Sequence, residues 1–441
     1  MTNFLLNIIQ TPPIILAMVA LIGLLLQGKN FGEIFEGTIK TALGMIIIST
    51  GAGLIVQEIS PFVELFGEVF NLQGFATSSE AVVGSLQANI PIVASTSSII
   101  LGVGFLVNIL LARITPLKNI FLTGHMMWIS SVAIAYCLYI QGYNELTIII
   151  LGSILQGLIL TMIPSVIQKS VSNLTGNNSF SIGHLTNIGT GAASFIGGHL
   201  GNKEDSAEDI KLPKQLHFFS DTAISVEIVM LIFYLFVVIA AGPERVSELS
   251  NGQNYIVFGI LKSLGFTAGV LVLLQGVKLF LDEIVPAFKG IADKVVPGAR
   301  PALDVTVLFA LAPNSLMFGF ISAVAGMIVG MFLSSIVFNV TPLVTIIGAF
   351  FTGGVAGILG NANGGKRGAI ISGFLYGFLV LFLSALVFKT FDFSSAGVSG
   401  LGFDCIDIMI IMLLLKNPII GIPILLACYL ALSLIERKST N

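Results

Sequence analysis

The sequence predicts an all-α polytopic membrane protein with about eleven transmembrane helices. Of its 441 residues, 55% are hydrophobic and only 10% are charged, whereas a soluble domain usually has about 25% charged residues. The mean hydropathy of +0.99 over the whole chain is too high for a single membrane anchor. A helical span needs about 20 apolar residues, so roughly ten spans fit into this length.

Apolar runs separated by Gly, Pro, Asn or charged residues mark the individual spans. The amino terminus lacks the basic region and the cleavage site of a signal peptide, so we expect its first run to be a span. A segment at 404–415 is a candidate twelfth element of half length. The eleven runs lie near 12–27, 38–57, 94–112, 117–139, 146–168, 222–241, 257–281, 315–337, 342–360, 369–388 and 418–434.

Lysine and arginine alternate between rich and poor loops, as the positive-inside rule requires when no span has been missed. Sixteen of the 20 basic residues fall in odd-numbered loops or at the carboxyl terminus. We therefore expect the amino terminus outside the cell and the carboxyl terminus in the cytoplasm. The sixteen are Lys29, Lys40, Arg113, Lys118, Lys169, Lys203, Lys211, Lys214, Lys278, Lys289, Lys294, Arg300, Lys366, Arg367, Arg437 and Lys438.

A repeat with an offset of about 225 residues predicts an inverted duplication. The string GLIVQEISPFVELF at 53–66 matches KLFLDEIVPAFKGI at 278–291, with Glu-Ile-x-Pro in both. Five predicted spans separate the copies, and an odd number reverses the direction of the second copy in the membrane. The predicted organisation is a first repeat at 1–168, a cytoplasmic amphipathic linker at 169–221, a second repeat at 222–388 and a terminal helix at 389–441.

Two stretches, 71–91 and 295–314, are too polar or too rich in Pro for lipid-facing helices, so they are predicted to be re-entrant hairpins that line a cavity. The repeat offset aligns Ser79 with Asp304, which predicts that the two hairpin tips converge.

Ionisable residues within membrane elements are costly and usually functional. His125 and Trp128 share a helix face and suit a small ring-shaped solute, and His184, Asp304 and Glu80 are further candidates. Other roles remain open at this level. His125 could bond a neighbouring helix, His184 could lie in a surface loop, Asp304 could cap a helix, and Glu80 could be a charge that a helix dipole favours.

Several classes of function are disfavoured by the sequence. No Walker motif for ATP is present, and no cluster has the spacing of a catalytic or metal site, so an intramembrane hydrolase is disfavoured and no cofactor is expected. The cysteines Cys137, Cys405 and Cys428 are far apart, and the net charge of −3 gives no reason to expect nucleic acid.

Six strings, in order along nearly the whole chain, resemble the ascorbate-type enzyme IIC of the bacterial phosphotransferase system. The resemblance implies a multi-pass homodimer in the bacterial cell membrane, with a V-shaped dimerisation domain and a mobile core domain that moves like an elevator. It also implies that separate enzymes IIB and IIA phosphorylate an ascorbate-like sugar as it arrives in the cytoplasm. The strings are GTIKTALGMIII (37–48), FLTGHMMW (121–128), FSIGH (180–184), LGNKEDSAEDIKLP (200–213), QGVKLFLDEIVPAFKGI (275–291) and APNSLMFGF (312–320).

The same resemblance implies which residues contact the sugar. These positions carry Ser79, Glu80, His125, Met126, Met127, Trp128, Ile129, His184, Leu185 and Asp304. Three of them depart from the family pattern, because Glu80 stands where tyrosine is usual, and Ile129 and Leu185 stand where glutamines can occur. The leading interpretation is a permease for ascorbate or a related small sugar or polyol, because a changed set of hydrogen-bonding groups changes which solute the pocket prefers. The alternative of another class is a proton- or ion-coupled secondary transporter.

Overall fold

The computed structural model describes residues 12–69, 74–210, 222–391, 393, 396–398 and 400–440. Most of these residues are helical. The helices are α1 (Pro12–Gln27), α2 (Phe31–Val69), α3 (Ser79–Asn89), α4 (Pro91–Ile114), α5 (Gly124–Tyr139), α6 (Glu145–Val166), α7 (Gln168–Thr175), α8 (Asn187–Leu200), α9 (Thr222–Ser250), α10 (Tyr255–Lys294), α11 (Pro313–Phe338), α12 (Gly354–Thr390), α13 (Ile406–Leu415) and α14 (Pro418–Thr440). The strands are β1 (Ala76–Thr77), β2 (Asn119–Phe121), β3 (Ser181–Ile182), β4 (Arg300–Leu303) and β5 (Leu401–Gly402).

Within the described residues, eight helical segments are long and apolar enough to cross a membrane. The predicted all-α polytopic membrane fold is therefore confirmed. The runs 342–360 and 369–388 lie largely on one helical segment, Ile346–Thr390. It consists of a short helix (Ile346–Gly348), a π-helix (Ala349–Gly353) and α12, which is broken by non-helical backbone at Gly364 and Gly365. The candidate half-length element forms α13.

One predicted span begins later than expected. The run 117–139 is helical only from Gly124, because Asn119–Phe121 forms strand β2. Pro116 precedes this strand, and a proline disfavours helical backbone in the residue before it and lacks an N–H for a helix. The backbone N–H and C=O groups of β2 form hydrogen bonds with β4 instead of with a turn of helix.

Short parallel strands lie where the two hairpins were predicted. Strand β4 lies between β2 and β3, and β1 pairs with β5. The predicted hairpin at 295–314 is thus β4 followed by a 3-10 helix at Val305–Leu308, and the one at 71–91 contains β1 and α3. Extended backbone is tolerated inside a membrane protein only where other protein groups pair with it, which these ladders accomplish.

The helices form two packed groups. One group consists of α1, α2, α9 and α10, with α2 and α10 in long antiparallel contact. The other group contains α3 to α8 and α11 to α14, in which α11 packs on α12 and α4 on α6. The strands lie in the second group, near its boundary with α2 and α10.

Glycines bring α2 and α10 unusually close together. A Cβ atom on Gly51 would lie 2.4 Å from the backbone nitrogen of Leu273, and one on Gly276 would lie 2.5 Å from that of Ile48. Gly44 and Gly269 make similar approaches to the facing helix. Small residues permit this backbone contact, which stabilises helix pairs where no hydrophobic effect acts.

Reciprocal ion pairs join the same two helices. Lys262 of α10 lies 2.8 Å from Glu58 of α2, and Lys40 of α2 lies 3.4 Å from Glu283 of α10. Glu58 and Glu283 are the glutamates of the two repeated Glu-Ile-x-Pro motifs. Each copy of the motif therefore contacts a lysine on the other long helix.

The predicted linker 169–221 is described up to residue 210. This part contains α7, the buried strand β3, and α8, which packs along α12. Glu208 then accepts hydrogen bonds from the backbone N–H groups of Asn314 and Ser315 at the start of α11, at 3.2 and 2.8 Å. The predicted Lys211 and Lys214 and the rest of the linker lie outside the described residues.

Candidate functional site

A cavity of about 320 Å³ with several ionisable side chains lies between α2 and the ends of strands β3, β4 and β5. This volume is at the small end of the range for small-molecule sites. Its described lining combines carboxylates, imidazoles and hydroxyls with apolar side chains. The lining residues are Met45, Ile48, Ser49, Glu80, His125, Met126, His184, Asp304, Val305, Thr306, Ile347, Gly348, Phe351, Thr352, Asp404 and Cys405.

His125 and Asp304 meet because their strands are neighbours. His125 is the second residue of α5, which follows β2, and Asp304 comes directly after β4. Parallel pairing of β2 with β4 brings His125 Nε2 to 3.7 Å from Asp304 Oδ2. Asp304 Oδ1 also accepts a hydrogen bond of 3.2 Å from the backbone N–H of Thr306. Asp304 therefore caps the 3-10 helix and lines the cavity at the same time.

His184 reaches the cavity from the other side of β4. It follows β3, which pairs with β4, and its side chain is buried. Its Nδ1 lies 2.9 Å from Thr186 Oγ1, so a ligand would use Nε2. The rings of His125 and His184 have centroids 6.2 Å apart. The surface-loop interpretation of His184 is therefore wrong.

The third group of polar residues comes from the β1–β5 pair. Ser79 begins α3 just after β1, and Asp404 follows β5. The Ser79 N–H and O–H groups both donate to Asp404 Oδ1, at 3.0 and 2.5 Å. The backbone N–H groups of Asp404 and Cys405 in turn donate to Ser79 Oγ, at 3.1 and 3.2 Å. This network fixes the position of Glu80, the next residue, at the cavity wall.

The sequence-predicted residues divide into two sets. Glu80, His125, Met126, His184 and Asp304 line the described cavity, so residues of both predicted hairpins reach one space.

The other five sequence-predicted residues do not line the described cavity. Ser79, Ile129 and Leu185 are fully buried away from the lining. The Trp128 indole N–H donates to Gln87 Oε1 at 2.8 Å, and Met127 is buried in the core.

Asp404 was not predicted from the sequence. The segment 404–415 was singled out as a half-length element, and a carboxylate at the entrance of such an apolar element is the signal that could have identified it. Ser49, Thr306 and Thr352 were also missed, because isolated hydroxyl residues in apolar runs are common.

The cavity is acidic. Glu80, Asp304 and Asp404 contribute carboxylates, and the described lining contains no lysine or arginine. Among the described residues, no group of three or more His, Cys, Asp or Glu side chains could hold a metal ion. The carboxylates, imidazoles and hydroxyls of the lining can bind a hydroxyl-rich molecule by hydrogen bonds.

A cavity that holds several ionisable side chains between membrane-spanning helices is typical of a membrane transport protein. The family profile described as "PTS system sugar-specific permease component" matches residues 7–405. The chain belongs to this family of permease components of the phosphotransferase system.

One curated relative is the "Ascorbate-specific PTS system EIIC component" of Mycoplasma pneumoniae. The two sequences are 27% identical over an alignment of 439 positions, and this alignment covers 87% of this chain and 66% of the relative. The chain thus spans slightly less than two thirds of the length of that relative.

Proposed function

We propose that this chain is the enzyme IIC permease of a phosphoenolpyruvate-dependent phosphotransferase system, and that it carries ascorbate or a related small sugar or polyol. The observation that carries this proposal is the convergence of His125, His184 and Asp304 on one cavity in a chain of this permease family. Enzyme IIB, recharged by enzyme IIA, would phosphorylate the solute at the cytoplasmic face.

The named side chains would bind the solute by direct hydrogen bonds. Imidazoles can donate or accept, whereas carboxylates accept from sugar hydroxyls. His125 would contribute Nε2 beside Asp304, and His184 would contribute its own Nε2. Met126 and Phe351 would cover the apolar face of the carbon chain. No residue of this chain is proposed as catalytic, because the phosphoryl group would come from enzyme IIB.

The two packed helix groups suit an elevator-type movement. Met45, Ile48 and Ser49 of α2 form one wall of the cavity, whereas the strand ends and α5 form the other. We propose that α1, α2, α9 and α10 are the static V-shaped domain of a homodimer and that the remaining helices move with the solute. The amino terminus would then lie outside and the carboxyl terminus in the cytoplasm.

The inverted repeat is the architecture that would allow both end states of this movement. Further features separated by 225 residues support it. Gly44 and Gly51 correspond in this way to Gly269 and Gly276, and all four lie at the contact of α2 with α10.

The proposal is tested by solute uptake in cells that produce this chain with or without its IIA and IIB partners. A radiolabelled panel of ascorbate, pentoses and polyols is supplied, and the intracellular product is identified. We expect a phosphorylated product that appears only with the partners. Accumulation of unmodified solute that collapses with a proton uncoupler would contradict the proposal and favour a proton-coupled secondary transporter, for which Glu80, Asp304 and Asp404 supply carboxylates.

A further inference from the structure

We propose that the cavity selects an uncharged polyol or neutral sugar and excludes anions such as ascorbate, and that Asp404 and Glu80 determine this selectivity. This inference rests on the proposed function, because it assumes that the cavity is the solute site. Asp404 is a lining residue that lies outside the sugar-contacting positions implied by the sequence resemblance.

The first argument is the balance of charge. The lining brings the carboxylates of Glu80, Asp304 and Asp404 together with two histidines, and its described part has no lysine or arginine. Burial and the neighbouring Asp404 raise the pKa of the Glu80 carboxyl. The carboxylates of Asp304 and Asp404 alone still leave the lining negative unless both histidines are protonated. An anionic solute would meet repulsion that a neutral solute avoids, and such repulsion is strong where little water screens it.

The second argument concerns the backbone N–H groups that would otherwise attract an anion. The first N–H groups of a helix are common binding sites for anions. At the start of α3, however, the N–H of Ser79 already donates to Asp404 Oδ1 at 3.0 Å. The N–H of Thr306 likewise donates to Asp304 Oδ1 at 3.2 Å. These two N–H groups already donate to carboxylates of the protein and are not free for a solute anion.

The third argument is the match between carboxylates and hydroxyl donors. An ionised carboxylate only accepts hydrogen bonds, and each oxygen can accept more than one. The Oδ1 atom of Asp404 is held by Ser79, so a solute would donate to Oδ2. A chain of hydroxyl groups can donate to Asp404, Glu80 and Asp304 in turn. The deprotonated oxygen of an anion cannot donate to any of them.

The test is equilibrium binding to the purified full-length protein in lipid nanodiscs, without enzymes IIA and IIB. Titration calorimetry at neutral pH compares sodium ascorbate with xylitol, ribitol, arabinitol, arabinose and xylose. The variants Asp404→Asn and Glu80→Gln each remove one negative charge with little change in size. The matched control is Glu227→Gln, because the Glu227 carboxylate bonds Ser263 and Thr267, away from the cavity.

We expect at least one neutral compound to bind the wild-type protein about tenfold or more tightly than ascorbate. Asp404→Asn and Glu80→Gln should each reduce the ratio of the ascorbate Kd to the Kd of the neutral compound by about tenfold, chiefly by improving ascorbate binding. Glu227→Gln should leave this ratio unchanged. Ascorbate binding at least as tight as every neutral compound would overturn the inference. Failure of all neutral compounds to bind, or an equal change of the ratio in Glu227→Gln, would also overturn it.

The binding assay tests the charge selectivity and the uptake assay tests the permease function, so either proposal can be contradicted without the other. If ascorbate is the tight ligand and is phosphorylated with the partners present, the charge selectivity is wrong and the permease function stands. If a neutral polyol binds tightly and enters cells unmodified, the phosphotransferase function is wrong and the charge selectivity stands.

Discussion

Ser79 and Asp404 are 325 positions apart in the sequence, yet the Ser79 O–H donates to Asp404 Oδ1 at 2.5 Å. This contact joins the start of α3 to the turn between β5 and α13, next to the cavity. It positions two of the three lining carboxylates, Asp404 directly and Glu80 as the neighbour of Ser79.

The first prediction concerns this contact. Ser79→Ala should reduce the free energy of unfolding by about 1–3 kcal/mol, because the carboxylate loses a hydrogen bond from a buried hydroxyl. Solute affinity should fall as well, since Asp404 and Glu80 lose their fixed positions. Thermal unfolding in detergent and titration calorimetry measure the two effects. Ser95→Ala is the control, because this exposed serine bonds only within its own helix at Ile92 O. If Ser79→Ala and Ser95→Ala had the same stability and the same solute affinity, the Ser79–Asp404 contact would have no role in either property.

The second prediction separates solute binding from helix capping at Asp304. Asparagine caps helices about as well as aspartate, so Asp304→Asn should keep the stability of the wild-type protein. It should nevertheless lose solute affinity by about tenfold or more, because the acceptor that faces His125 changes its charge and one of its oxygens. Asp304→Ala should lose affinity and also about 1 kcal/mol of stability. If Asp304→Asn bound the solute normally while Asp304→Ala lost stability, Asp304 would cap the 3-10 helix but would not bind the solute.

The third prediction tests the close contact of α2 with α10. Gly51→Ala and Gly276→Ala should each cost about 1–3 kcal/mol, because the added methyl group meets backbone atoms of the facing helix. Gly53→Ala is the matched control on the same helix, since a Cβ there has no atom within 4 Å. Thermal unfolding of the three variants checks this. A loss of stability in Gly53→Ala as large as in Gly51→Ala would contradict the packing account.

The fourth prediction concerns Asp407, a buried residue of α13 outside the cavity. Its Oδ1 accepts from the backbone N–H groups of Ile188 and Gly189 at 2.9 and 3.3 Å, at the start of α8. Asp407→Ala leaves these donors unpaired, so we expect a loss of about 1–3 kcal/mol. Because α8 begins three residues after His184, solute affinity should also fall.

The control for this fourth prediction is Asp407→Asn, which keeps an acceptor oxygen and should be much milder in both assays. Wild-type stability and affinity in Asp407→Ala would show that α8 is positioned by other contacts.

The sequence predicted the membrane class and the helices well, because a run of about 20 consecutive apolar residues is rare outside membrane spans. It also predicted that His125, His184 and Asp304 belong together, since ionisable groups at membrane depth are costly.

The sequence did not predict the short strands. Segments of two to four residues carry no hydrophobic period, and only their partners from distant parts of the chain identify them. Asp404 was missed for the same reason, because its importance comes from β5 pairing with β1. The orientation of Trp128 toward Gln87 is likewise a property of packing and not of helical spacing.

The central claim is that the transported solute occupies the cavity bounded by Asp304, His184 and Asp404. An experimental density map of the full-length protein with its best-binding solute tests this claim most directly. The account predicts solute density within hydrogen-bonding distance of His125 or His184 and of at least one cavity carboxylate. Solute density elsewhere in the protein, with this cavity empty, would contradict it.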